Sequence, residues 1–162
     1  PFIIVAAIVF MFASRSYFWP RIVSNVSTGE IGQEISTGNL SLTVNAVRRD
    51  SQGSGPLMPR KGYTFVIADI TIRNNSDNSF EISPFLHFHI RDGQGRVFTV
   101  AAVPSELNQW SGKLLSHDIL REEIGFEVAD DARGLKLYYE PGISNRDIIV
   151  VNIELRPWWK SL

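Results

Sequence analysis

From residue 40 onward the chain alternates apolar and polar residues with a period of two. Leu40, Leu42, Val44 and Ala46 alternate with Ser41, Thr43 and Asn45. Val66, Ala68, Ile70 and Ile72 share one parity of a longer run, and Leu86, Phe88 and Ile90 share another. Leu120, Ile124, Phe126 and Val128 follow, with Glu122 interrupting them at a predicted strand end or bulge. Leu135, Leu137 and Tyr139 alternate, and so do Ile149, Val151, Ile153 and Leu155. A strand points successive side chains to opposite faces, so each run predicts a half-buried strand.

Turn chemistry separates the runs. Asn74 to Asn78, Asp92 to Gly95, Ala129 to Gly134 and Pro141-Gly142 are rich in residues that accept left-handed or Asx geometry. Ser51 to Gly62 is a longer Gly/Pro loop, and Pro104 to Trp110 hints at a helical turn. Seven or eight such strands predict a mainly β domain, an immunoglobulin-like antiparallel β-sandwich over residues 31–155. An up-and-down barrel is the alternative, and irregular loop lengths favour Greek-key connections.

The first twenty residues follow a different pattern. Phe2, Ile3, Ile4, Val5, Ile8, Val9, Phe10 and Phe12 lie in an uncharged run. Eighteen helical residues rise about 27 Å, close to the roughly 30 Å hydrocarbon core. Arg15 can snorkel outward, Tyr17, Phe18 and Trp19 suit an interfacial belt, and Pro20 ends the helix. Residues 1–20 therefore read as an N-terminal transmembrane helix, incomplete at its start because the chain opens on Pro1. A cleaved signal peptide is the rival, with Ser14 and Ser16 as its weak small-x-small site. Residues 21–30 read as a polar linker, and residues 156–162 as a tail carrying Trp158 and Trp159.

Composition narrows the function classes. The chain has 162 residues, no cysteine and a net charge of −1. Without cysteine there is no disulfide scaffold, no thiolate metal site, no Cys nucleophile and no thiol for lipid attachment. A near-neutral charge supplies no basic field for nucleic acid.

Residues 62–98 carry a family pattern. Gly62, Phe65, Asp69, Thr71 and Asn74 run into an Asn/Ser turn, followed by Ser83-Pro84-Phe85 and a hairpin with Asp92, Gly95 and Phe98. Gly125 to Val128 and Leu135 to Glu140 match later parts of the pattern. The sequence resembles a prokaryotic family of extracytoplasmic immunoglobulin-like domains of unknown function, similar in fold to a mycobacterial secreted immunogenic protein. The resemblance covers about residues 31–155. It implies a sandwich outside the cytoplasm, commonly lipid- or membrane-anchored, with no catalytic residues or cofactor.

Candidate chemistry is sparse. His87 and His89 sit two apart and could hold a metal with Asp92 or His117, but an H-x-H pair alone is a weak signal and a pair of solvent-face histidines is the favoured reading. Glu122-Glu123 and Asp130-Asp131 are adjacent, which places neighbours on opposite strand faces and argues against a catalytic dyad. No G-x-S-x-G elbow, Walker loop or Rossmann fingerprint is present. Tyr63, Phe65 and Ile67 make the second face of their strand apolar, and Ile148 and Val150 do the same later. Such a face is covered either by the chain's own loops or by a partner protein.

Anchor, apolar surplus and Trp158-Trp159 together predict a non-catalytic single-pass accessory subunit. Its helix would meet lipid, and its sandwich would dock on integral membrane partners of a respiratory or photosynthetic complex. Tyr63, Phe65, Ile67, Trp158 and Trp159 are the expected contacts. The alternative is a free-standing anchored module that binds a small ligand, peptide or cell-wall component through loops 51–62 or 102–118.

Overall fold

The computed structural model describes residues 25–104, 112–141 and 147–154. The segment read as a transmembrane helix, residues 1–20, lies outside them, as does the Trp158-Trp159 tail. Among the described residues no helix is long and apolar enough to cross a membrane.

Eleven strands form in chain order: β1 Val26–Glu30, β2 Glu34–Thr37, β3 Leu40–Asp50, β4 Tyr63–Asn74, β5 Phe80–Ile82, β6 Phe88–Arg91, β7 Val97–Thr99, β8 Gly112–Leu114, β9 Ile119–Ala129, β10 Lys136–Tyr139 and β11 Ile148–Asn152. A single helical turn, α1 Pro84–His87, precedes β6. One sheet runs β1-β11-β10-β6-β7, the second β2-β3-β4-β9, and β5 pairs with β8 apart from both. The two large sheets face each other as a sandwich. Leu42, Val44, Val66, Ile70, Phe126 and Val128 from one meet Ile90, Leu137, Tyr139, Ile149 and Val151 from the other in one buried cluster. Burying each such side chain is worth about 1.5–3 kcal/mol, so these alternating positions hold the sheets together.

Four features depart from the sequence reading. Residues 26–30, expected in the linker, form β1, which pairs with β11 in parallel and so breaks the expected all-antiparallel pattern. Backbone bonds along the β11 edge replace side-chain burial there, and the chain then crosses to the other sheet through Gly32, at φ +84°. Second, the β3–β4 register shifts between Val44 and Ala46. This bulge inverts the face, so Ala46 is exposed and Val47 packs on the core instead. Third, Leu86 is exposed rather than buried, because Pro84 opens a helical turn whose Leu86 and His87 amides donate to the Ser83 carbonyl. Fourth, β9 runs through Glu122 in unbroken register, without a bulge or strand end.

Register also gives the sandwich two distinct ends. Val26 pairs with Ile148, and the next row runs Ile149, Tyr139, Phe88. In the other sheet Leu40 pairs with Asn74, and Arg73 with Ile119. Asp147 ties these two sheet ends together, accepting hydrogen bonds from Asn25 at 3.1 Å and Thr37 at 3.3 Å. We call this the proximal end, because Asn25 and Val26, the first described residues, lie here. Asp50, the loop to Gly62, the Asp92–Arg96 hairpin and Glu154 lie at the opposite, distal end.

Candidate functional site

The apolar second face of β4 is the place to look first. Phe65 and Ile67 are buried there at 4% and 1% exposure, packed with Val103 in a small second cluster. Val103 belongs to a strap, residues 100–104, that leaves β7 and crosses the outer face of the second sheet. A bridge between Val100 and Phe126, and a bond from the Ala101 amide to the Gly125 carbonyl at 2.9 Å, fasten it to β9. The expected partner contacts Phe65 and Ile67 are therefore covered by their own chain, which removes them from any docking surface. Tyr63 is half-buried, and the Arg60 guanidinium lies 4.3 Å from its ring centroid. It lines a hollow of about 360 Å³ with Phe98, Thr99 and Glu127. On β11, Val150 is buried and Ile148 half-buried.

Beside the strap lies an open cleft of about 690 Å³, lined by Arg48, Asp50, Ser54, Leu57, Val103, Pro104 and Glu123. Each wall has a local cause. The bulge in β3 turns Arg48 toward this face, where it meets Glu123 at 3.0 Å and the Pro104 carbonyl at 3.4 Å. Asp50 accepts the amides of Gln52 and Gly53, both at 2.9 Å, and so starts the loop that raises Ser54 and Leu57. Those two amides, Gly53 first, hold the Asp50 carboxyl below the usual carboxylate range. Arg60 closes the loop on Glu127, which accepts from its backbone and its guanidinium at 2.6 Å each. The charged groups that line the cleft are Arg48, Asp50 and Glu123.

The outer face continues toward the proximal end as a polar network. Asp69 accepts from Arg121 at 3.0 and 2.6 Å and from Asn45 at 2.9 Å. The Arg121 contact chiefly holds the Asp69 carboxyl low, against the opposing effect of burial. On the inner side of β9, Glu122 stands half-buried, one carboxylate oxygen shielded from solvent without a hydrogen bond. Burial pushes its pKa up. As expected, Glu122 and Glu123 point to opposite faces.

The histidines do not converge. His87 sits in α1, where its Nδ1 accepts the Ser83 amide at 3.2 Å. His89 lies on β6, stacked on Tyr138 at 4.9 Å, with Arg91 donating to its Nε2 at 3.0 Å. Burial lowers the pKa of both and favours the neutral ring. Asp92 is held by the guanidinium of Arg96 at 2.6 Å in the distal hairpin, and His117 contacts Asp77 at 3.0 Å. Among the described residues no group of three His, Cys, Asp or Glu side chains could hold a metal.

Sequence reasoning named the loops 51–62 and 102–118 but not the side chains that line the cleft. These come from positions 48 to 123: sheet register brings Arg48 and Glu123 together across β4, and the strap adds Val103 and Pro104.

A two-sheet sandwich with one strap-covered face defines the class: an extended β-sandwich domain of the kind built from short strands and long loops. The chain belongs to the family described as Domain of unknown function (DUF4352), whose model matches residues 29–149. No curated protein matches the chain. Among solved structures it is similar to the Bacillus subtilis yjhA protein, with a TM-score of 0.63 and 18% identity over 76% of this chain and 98% of that one. It is also similar to a putative lipoprotein, ycdA, of Bacillus subtilis, with a TM-score of 0.59 and 11% identity over 75% of this chain and 38% of that one. A third likeness is to the secreted protein MPT63 of Mycobacterium tuberculosis, with a TM-score of 0.54 and 16% identity over 77% of this chain and 95% of that one. At such identities the likeness carries the fold alone.

Proposed function

We propose that the chain is a non-catalytic extracytoplasmic docking domain, an accessory subunit held at a membrane by residues 2–19, which receives a partner protein segment in the strap cleft. The cleft is the observation that carries this reading. It is open, about 690 Å³, and bounded by the distal loop, so it lies away from the end where the apolar segment arrives. A domain anchored at one end presents such a cleft outward. Arg48, Ser54 and the apolar Leu57 and Val103 together suit an extended peptide, which offers both backbone polar groups and side chains. The secreted and lipoprotein relatives support a location outside the cytoplasm.

A photo-crosslinking residue at Leu57 or Pro104, in native membranes, tests the reading. Both positions should capture one and the same polypeptide, and Arg48→Glu should abolish the capture. Capture of nothing from either position, with the protein intact in the membrane, overturns it. The small-ligand alternative is favoured by the same open cleft. It predicts an added small-molecule mass in native mass spectra, lost when Leu57→Trp fills the cleft.

A further inference from the structure

Among the described residues seven large apolar side chains are exposed, and five of them, Val26, Phe85, Leu86, Leu115 and Ile119, belong to the proximal end. Val26 opens β1 opposite Ile148. Phe85 and Leu86, 61% and 79% exposed, sit in α1 immediately before Phe88, and the Glu140 amide bonds the His87 carbonyl there. Ile119 pairs with Arg73 in the last row of β9. Leu115 follows β8, and its carbonyl accepts the Asn74 side chain at 2.8 Å. The other two, Met58 and Val97, lie at the distal end.

The apolar run of residues 2–19 precedes Asn25 and Val26, which lie at this same end, by only five residues of sequence. We propose that the proximal end of the sandwich rests on the lipid bilayer surface, with Phe85 and Leu86 of α1 entering the headgroup boundary. The proposal rests on reading residues 2–19 as a membrane anchor. An anchor with so few residues between itself and Val26 brings the proximal end to the interface. There an aromatic and a leucine on a protruding turn are stabilised by burial about 5–10 Å into the headgroup and acyl boundary. The charged groups at this end are mainly acidic, Asp77, Glu81, Asp118, Glu140 and Asp147, against Lys113 and Arg73. The contact is therefore apolar in origin and needs no anionic lipid.

The chain contains no cysteine, so single cysteines can be introduced and labelled with an environment-sensitive dye. The full chain carrying Val9→Cys, Leu86→Cys, Leu115→Cys, Met58→Cys or Val97→Cys is reconstituted in phosphatidylcholine vesicles. Nitroxide lipids then quench dyes in the bilayer, and iodide quenches dyes in water. Dyes at 86 and 115 should be quenched several-fold more by headgroup-depth nitroxides than dyes at 58 and 97, with no change on adding anionic lipid. A dye at 9 reached by deep nitroxides while the one at 86 answers only to iodide leaves the anchor standing and overturns the proposal. A dye at 86 reached by nitroxides while the one at 9 is aqueous overturns the anchor and keeps the surface contact. Aqueous dyes at both positions overturn both. Protection of 86 from iodide and nitroxide alike means a protein covers this end, and overturns the lipid contact.

Discussion

Gly125 lies directly under Val103: a β-carbon on it would overlap both methyl groups of that side chain. The glycine pairs with Ile67 across β4 and β9, and its carbonyl accepts the Ala101 amide. Its missing side chain is thus what lets the strap lie close enough to bury Phe65 and Ile67. Gly125→Ala should push the strap outward and cost about 1–3 kcal/mol by overpacking. Val103→Ala should cost about 1–2 kcal/mol through lost burial. In the double variant the added methyl occupies space that valine vacates, so its loss should be well below the sum of the two. Denaturant unfolding of the four proteins measures that coupling.

Asp69 makes a pH-dependent contribution of known sign. Arg121 and Asn45 favour its ionised form, so its folded pKa lies below the unfolded one. The stabilisation is complete above the unfolded carboxylate pKa and is lost as the pH falls through the lower, folded value. Asp69→Asn should lower the melting temperature by a few degrees at neutral pH, and the difference from the parent should shrink steadily in acid. Because the Arg121 side chain is largely exposed, added salt should also reduce it. A gap that persists undiminished in acid contradicts this account.

Glu122 acts in the opposite direction. Burial raises its folded pKa, so the neutral carboxyl suits the fold and ionisation costs stability as the pH rises through that value. Glu122→Gln should therefore raise the melting temperature by a few degrees at neutral pH. The advantage should fade below the ordinary glutamate pKa, where the parent side chain is protonated in both folded and unfolded chains. Thermal scans across the acid range give the crossover directly.

Much of the sandwich was legible because its inner faces alternate strictly: Leu40, Leu42 and Val44, or Leu135, Leu137 and Tyr139, can satisfy only one face of one sheet. The misreadings share a cause. Val26 to Glu30 has no apolar alternation, since β1 is held by backbone bonds to β11 and only half-buried by its side chains. Ala46 loses its parity to a bulge whose stabilising bonds, from Asn45 to Asp69 and Thr71, are tertiary. The second face of β4 was seen to need a cover, but Val103, some forty positions away, carries no local mark of that task. The cleft is invisible for the same reason: Arg48 and Glu123 meet only through sheet register across β4, and Leu57 and Pro104 join them only from a distant loop and the strap.

Asn74 offers the sharpest test of the proximal end. Asn74 is buried at 1% exposure, and its side chain bonds two segments, the turn 76–78 and Leu115. The amide donates to the Asn78 and Leu115 carbonyls at 2.6 and 2.8 Å, and its oxygen accepts the Ser76 amide at 2.9 Å and hydroxyl at 3.0 Å. Asn74→Ala would take a partner from the Leu115 carbonyl and from the Ser76 amide and leave the Asn78 carbonyl to the Ser76 hydroxyl alone, at a cost of about 1–3 kcal/mol. Asn74→Asp keeps the shape but sets a carboxylate against two carbonyl oxygens, so it should be no better at neutral pH and should recover partly in acid, where the carboxyl can donate once. Serine at this position, too short to reach Leu115, should behave like alanine. Hydrogen exchange should localise the damage to the Leu115 and Asn78 segments and leave the distal loop 51–62 protected as before, which global destabilisation alone would not do.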